Sequence, residues 1–433
     1  MPNFVFILTD DQRYDALGCA NPLVVTPHMD ALAERGVRFD RAFVTTSICS
    51  PSRACCLTGR YGRANGVTGL GMGLDADEVT FAQRLRRAGY RTGYVGKWHL
   101  KRPDPAGAGF DSCVWFRSNG PHHGRTVVEG GERKVAEGYI EDYLAARSVA
   151  FLEEAAARDR PFLLHIGTQV PHMDHRFRWP ASERSLALYE PEAMPVSANW
   201  RDDLEGKPPY LETARSRTRA LHYGYARKEA IQRHFRHYFA AVTDMDRALG
   251  TVLAALDRLG LRNDTWILLM GDNGWMMGEH TFTSKVLAYE ASIRVPFLVA
   301  GPGLSAEVCQ ELVLNADVAP TILDLAGLPV PGNVHGRSLV PLLRGQPVDW
   351  RQSFLYEALE PELGARPVLA VRTGRWKYIQ TLDPRERARV DFEELYDLET
   401  DPGELHNLAH HEAHQETLAA MRAELERLKG RIR

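Results

Sequence analysis

Asn3-Phe4-Val5-Phe6-Ile7-Leu8-Thr9-Asp10-Asp11 is a short run rich in Phe, Val and Ile that stops on two adjacent carboxylates. Its length and its aromatic and β-branched content make Asn3–Leu8 a strand that leads directly into the aspartates. Outward from it, segments of the same texture recur and alternate with amphipathic stretches. Val37–Val44, Arg91–Val95, Phe162–Gly167, Thr265–Met270 and Val295–Ala300 read as strands, whereas Glu78–Ala88, Tyr139–Arg158 and Asp244–Leu259 read as helices. This alternation predicts an α/β fold, a large, mixed but mainly parallel sheet flanked by helices. Weak periodicity and many prolines from His172 to about His237 mark an excursion over the surface of that sheet.

Pro329, Pro331, Gly332, Pro341, Gly345 and Pro347 punctuate the chain, and its texture changes after them. The expected organisation is a large α/β domain over residues 1–345 and a smaller α+β subdomain over 346–433. Ser353–Glu357, then Val368–Arg372 and Arg375–Leu382 around a Thr373-Gly374 turn, predict an antiparallel sheet. Leu418, Met421, Leu425 and Leu428 recur at helical spacing and mark the apolar face of a C-terminal helix.

With 44% hydrophobic and 25% charged residues, the 433-residue chain has a globular composition, away from disorder. Its 53 basic and 56 acidic residues nearly cancel to a net charge of −3, so no overall field recruits nucleic acid or an anionic membrane surface. No apolar run approaches the roughly 20 residues of a membrane helix. The opening strand leaves no place for a signal peptide after Met1, which predicts a cytoplasmic protein. Six cysteines with no Cys-x-x-Cys pair do not make a disulfide framework, and Cys19, Cys55, Cys56, Cys113 and Cys309 read as small buried hydrophobes.

Cys49 differs through its neighbours. Ser50-Pro51 is a good helix start, with serine as cap and proline's fixed φ suited to the first turn, and Gly59 closes that helix. Cys49 then stands just before a helix N-terminus, where free N–H groups favour an anion, with Arg53 one turn on. Taken alone, the segment reads rather as a buried strand-end thiol beside a surface arginine. Asp10-Asp11 and Asp272-Asn273 each follow a predicted strand, and in an open parallel sheet strand ends of this kind face one crevice. Three carboxylates and an amide form an oxygen set suited to Ca²⁺, with Mg²⁺ the alternative, rather than to zinc.

Cys49-Ser50-Pro51-Ser52-Arg53-Ala54-Cys55-Cys56-Leu57-Thr58-Gly59-Arg60 resembles the signature of the formylglycine-dependent sulfatases of the alkaline phosphatase superfamily. Asp272-Asn273-Gly274, Gly96-Lys97-Trp98-His99, Pro171-His172 and Lys285 in a Lys-x-x-x-Tyr-Glu-x-Ser-Ile-Arg-Val-Pro context resemble the same family. So do Trp376-Lys377-Tyr378 and Glu394-Leu395-Tyr396-Asp397-Leu398 near the C-terminus. The resemblance implies that a formylglycine-generating enzyme oxidises Cys49, and that the aldehyde hydrate attacks a sulfate monoester. It further implies a single divalent cation on Asp10, Asp11, Asp272 and Asn273, completed by the modified Cys49. Arg53 and Lys97 would position the nucleophile, Lys285 and His172 would act on the leaving oxygen, and His99 would act as base in sulfate release.

The cations Arg53, Lys97 and Lys285 leave such a centre net positive, which suits an anionic ester. A phosphonate or phosphate ester fits the same field, and a binding protein that keeps Cys49 as a thiol is the alternative outside enzymes. The Lys285–Pro296 context resembles carbohydrate sulfatases, so a sulfated sugar is the expected substrate. His175, Arg176 and Arg178 beside His172 are placed to meet an acidic sugar and read equally as a solvated loop. The Arg215, Arg217, Arg219, Arg227, Arg233 and Arg236 series, interrupted by Glu212 and Glu229, reads as a solvated helical face.

Overall fold

The structure is a computed structural model that describes residues 1–158 and 160–432. Among these, ten strands form one mixed sheet. Its centre is five parallel strands in the order Thr265–Gly271, Asn3–Asp10, Phe162–Pro171, Arg91–Lys97 and Ser112–Phe116. Antiparallel strands extend both sides: Phe297–Ala300 beyond Thr265–Gly271, and a hairpin of His123–Glu129 and Glu132–Tyr139 beyond Ser112–Phe116. Alternate side chains of the first strand enter opposite layers. Val5 and Ile7 pack under the helices Ile140–Ala156 and Lys228–Arg258, while Phe4, Phe6 and Leu8 pack under Phe81–Arg87 and Val318–Leu325. Both faces are therefore dry, as a parallel sheet between helices requires.

The structure redraws three local readings. Val37–Val44 is two strands, Gly36–Phe39 and Ala42–Phe43, because the chain leaves the sheet at Asp40 and Ala42–Phe43 pairs with Val313–Leu314 instead. The helix expected over Asp244–Leu259 begins much earlier and runs Lys228–Arg258. Its first turns are studded with Arg, His and Gln, yet Ile231, Phe235, Tyr238, Phe239 and Val242 form a buried stripe at helical spacing. The hairpin His123–Glu129/Glu132–Tyr139 was not foreseen, because its strands are largely polar and exposed. Gly130 and Gly131 at its tip both have positive φ, as a two-residue hairpin turn demands.

After residue 345 the chain builds a four-stranded antiparallel sheet, Ser353–Ala358, Val368–Thr373, Trp376–Leu382 and Val390–Asp397. Helix Gln415–Arg431 lays Leu418, Met421 and Leu425 onto Leu355, Val371, Tyr378 and Leu395 of that sheet. No helix among the described residues is long and apolar enough to cross a membrane.

Candidate active site

Four of the five central parallel strands end at one place, and each delivers polar side chains there. In register, Thr9 lies opposite Gly271 and Asp10 opposite Pro171, so Asp10-Asp11, Asp272-Asn273 and His172 leave the sheet edge side by side. The Arg91–Lys97 strand brings Lys97 from the far side of Phe162–Pro171. Gly96 allows that approach: it has φ +122, and a Cβ on it would lie 1.9 Å from the Gly167 carbonyl oxygen.

The helix that carries Cys49 caps this edge. It runs Cys49–Thr58, with Ile48 as the extended N-cap residue and Gly59 closing it at φ 70. Ser50 is therefore not the cap: its hydroxyl donates to the His99 carbonyl at 2.6 Å, tying the helix start to the chain after Lys97. Cys49 and Arg53 are one turn apart and share a face, which explains their spacing. The chain beyond Lys97 is also not extended, since His99 has φ 59. Asp11 with φ 62, and Ser284 and Val286 flanking Lys285 with φ 99 and 81, share this left-handed backbone. Such conformations are unfavourable for side-chain-bearing residues and need surroundings that hold them. At Asp11 the Tyr238 hydroxyl supplies a hold by donating to its carbonyl at 2.8 Å.

Around Cys49 the side chains converge tightly. Lys285 Nζ lies 2.7 Å from Cys49 Sγ and 3.2 Å from Asn273 Oδ1, and also bonds Asp11 Oδ1. Lys97 Nζ pairs with Asp10 and lies 3.7 Å from Sγ. The Arg53 guanidinium donates to Asp272 Oδ2 at 2.9 Å and to the Lys97 carbonyl at 2.6 Å. His172 Nε2 is 3.4 Å from Asp11 Oδ2, while its Nδ1 lies 2.7 Å from the Met173 carbonyl. A carbonyl only accepts, so Nδ1 carries a proton and Nε2 is the ring atom that can gain or lose one toward the site. His99 is half-buried, and its Nδ1, closed to solvent, has no partner.

Burial and crowding set the charges. Burial pushes the Cys49 thiol up to about 12, against the pull of Lys285 and Lys97. Burial would raise Asp10, but Lys97 and the other cations outweigh it and hold it well below the carboxylate range. Asp272 goes the other way, raised by burial and by Asp10 beside it. Burial and the Lys97 charge hold His99 well below the ordinary histidine range. Burial also lowers His172, with Asp11 opposing.

One ligand atom from each of Asp10, Asp11, Cys49 and Asp272 lies within 4.8 Å of the others, all buried. Asp11 Oδ2 has no hydrogen-bond partner although it is buried, and three carboxylates meet in a space closed to water. A hard divalent cation relieves both conditions, and the oxygen-rich donor set suits one. The expected catalytic and metal-binding residues, Asp10, Asp11, Cys49, Arg53, Lys97, His99, His172, Asp272, Asn273 and Lys285, lie in or beside this cluster, and His175, Arg176 and Arg178 are exposed outside it. Sequence reasoning missed Asn119, whose side-chain amide lies 2.8 Å from His172 Nε2, and Trp275, whose ring sits beside both His172 and Lys285. Asn119 lies in a stretch that resembles no motif, and nothing local distinguished Trp275 from a core aromatic residue.

Comparison with known proteins gives a consistent picture. The family model described as Sulfatase matches residues 2–328, and one described as N-sulphoglucosamine sulphohydrolase, C-terminal, matches 278–431. The chain is 28% identical to an N-acetylglucosamine-6-O-sulfatase of Bacteroides thetaiotaomicron, over 94% of this chain and 82% of that protein. It is 31% identical to an ulvan-active sulfatase of Formosa agariphila, over 88% of this chain and 73% of that one. A solved structure in complex with its substrate D-glucosamine-2-N,6-O-disulfate superposes with TM-score 0.89 at 27% identity, covering 100% of this chain and 98% of that chain.

Proposed function

This chain belongs to the sulfatase family and is a sulfuric ester hydrolase; on that premise we propose that it cleaves a sulfate monoester of a carbohydrate, using an oxidised Cys49 and one divalent cation. The observation that carries this reading is the meeting of Cys49 with Lys285, Lys97 and three aspartates in one buried cluster. Asp10, Asp11, Asp272 and Asn273 would hold the cation, Ca²⁺ or alternatively Mg²⁺, together with the modified side chain of residue 49. When bound, the cation supplies Lewis-acid polarisation of a sulfate oxygen. Formylglycine, generated from Cys49 by a partner enzyme, supplies a hydrated aldehyde as nucleophile.

Arg53, fixed by Asp272 and the Lys97 carbonyl, keeps its charge beside position 49 and, with Lys97, orients the attacking group. Lys285 Nζ and His172 Nε2 lie on one side of the cluster and stabilise or protonate the leaving oxygen. His99, neutral in its half-buried place, is the base that removes a proton from residue 49 as sulfate departs. The carbohydrate assignment rests on the N-acetylglucosamine-6-O-sulfatase and ulvan-active relatives, and on exposed His175, Arg176 and Arg178 directly after His172. The same reading divides the chain into a catalytic domain, 1–345, and a C-terminal subdomain, 346–433.

The test is peptide mass spectrometry of the Cys49 fragment from protein co-expressed with a formylglycine-generating enzyme, alongside sulfate release from sulfated sugars. An aldehyde or its hydrate at position 49, with release lost in Cys49→Ser, is the expected result. An intact thiol under those conditions returns the chain to the binding-protein alternative. Faster turnover of a phosphonate than of a sulfate monoester with the same leaving group would replace the sulfate assignment.

A further inference from the structure

The segment after His172 carries an aromatic side chain out of the core. Phe177 is 54% exposed and has φ 59, a left-handed conformation that a phenylalanine seldom adopts. Buried Asp174 holds this turn: its Oδ1 accepts from the Arg176 and Arg178 amides at 2.8 and 3.0 Å, and its carbonyl accepts from the Phe177 amide at 3.0 Å. The Arg219 guanidinium lies over the Phe177 ring, 4.0 Å from its centroid. The turn is thus built to present a ring and a cation together, against a conformational cost.

Beside Phe177 is a surface cavity of about 400 Å³, lined by Arg178, Trp179, Arg233, His234 and His237, with Glu183 as the carboxylate among its lining residues. Trp179 joins this cavity to the active site: its ring packs edge-on against Trp275, and Trp275 packs edge-on against His172. The exposed Phe177 ring suits the apolar face of a sugar, and the arginines suit its sulfate or carboxylate groups.

We infer that this cavity is a second binding site for a sulfated oligosaccharide, holding a sugar unit that is not the one hydrolysed. Phe177 provides the stacking surface, and Arg178, Arg219 and Arg233 provide the anion contacts. The inference rests on the carbohydrate reading above, and it makes a sulfated chain, rather than a free monosaccharide, the better substrate.

The test uses the full, formylglycine-loaded protein and its Phe177→Ala and Arg233→Ala variants. Both residues are exposed and outside the Cys49 cluster, and thermal unfolding checks that each variant remains folded. Binding by calorimetry and sulfate release are measured with size-defined heparin, chondroitin sulfate and carrageenan oligosaccharides, and release also with glucosamine 6-sulfate and an aryl sulfate. The expected result is that kcat/KM or affinity for at least one oligosaccharide falls about fivefold or more in each variant, the order of one lost stacking or charged contact, while the two small esters are unaffected. Equal losses on small and large substrates, unchanged oligosaccharide values, or no binding of any oligosaccharide by the parent protein would overturn the inference. If the parent protein released no sulfate but still bound an oligosaccharide in a Phe177-dependent way, the cavity would stand and the hydrolase reading would fall.

Discussion

Arg53 joins two parts of the site that the chain keeps far apart, through Asp272 on one strand end and the Lys97 carbonyl on another. A lysine keeps the charge but not the planar fork, and it cannot satisfy both acceptors from the same place. Arg53→Lys should therefore lower kcat by about 100-fold, the order seen when one fixed charge-stabilising donor is removed. Steady-state kinetics on a sulfated sugar measures this, and a kcat within a factor of two of the parent would remove Arg53 from the nucleophile's support. Cys49→Ser makes a sharper prediction. It should fold with an unchanged unfolding midpoint and bind a sulfated sugar, yet release no sulfate under multiple-turnover conditions. The resemblance of Cys49–Arg60 to the sulfatase signature exposed these two side chains, and the structure explains their spacing by putting both on one face of a helix. The resemblance did not expose Asn119, whose partnership with His172 Nε2 depends on a loop that folds back from the next strand.

The joint between helix Ile140–Ala156 and strand Phe162–Pro171 rests on Glu141. Its Oε1 accepts from the Gln169 and Val170 amides at 2.8 and 2.9 Å, fixing the strand end that leads into His172. Burial raises the Glu141 carboxyl from 4.5 to about 7, despite those two amides. Between these values the folded state holds a proton that the unfolded state has released, so the stability this acid contributes falls as pH rises through the interval. The loss is on the order of 3 kcal/mol by pH 8. Glu141→Gln keeps an oxygen for both amides and cannot ionise, so its stability should exceed that of the parent above pH 7 and match it near pH 4.5. Urea unfolding across that range tests the point, and parallel pH profiles for the two proteins would refute it. Among the other elements, long Lys228–Arg258 shows how composition misleads: its basic residues read as surface, and its buried stripe at spacings of three and four was the better signal.

The C-terminal sheet reaches the site through a buried charge network. Lys377 Nζ lies 2.6 Å from Glu404 and 2.8 Å from Glu290, while the Glu290 amide donates to Glu404 at 2.9 Å. Glu290 follows Lys285 by five residues, so this network anchors the segment that presents Lys285 to Cys49. Lys377→Met leaves buried Glu404 without its cation, while Glu290 keeps Arg372 at 3.1 Å, and should cost about 3–5 kcal/mol of stability. Turnover should fall as well, at temperatures where the variant is still folded. Glu404→Gln, which leaves Lys377 paired with Glu290, should be milder in both respects; thermal unfolding and kcat at low temperature separate the cases. Taken by itself, the sequence determined the parts that depend on near neighbours. The apolar strands, the Cys49–Gly59 helix with its one-turn spacing, the carboxylates just beyond strand ends and the α/β class all follow from local propensity and periodicity, which act over a few residues. Tertiary structure alone decided that Lys285 touches Asp11 across 274 positions, that Ser50 serves His99 instead of capping its helix, and that Phe177 stands exposed beside an aromatic cavity. Those relations depend on the register of the parallel strands and on how loops pack over their ends, and both are set by burial across the whole sheet.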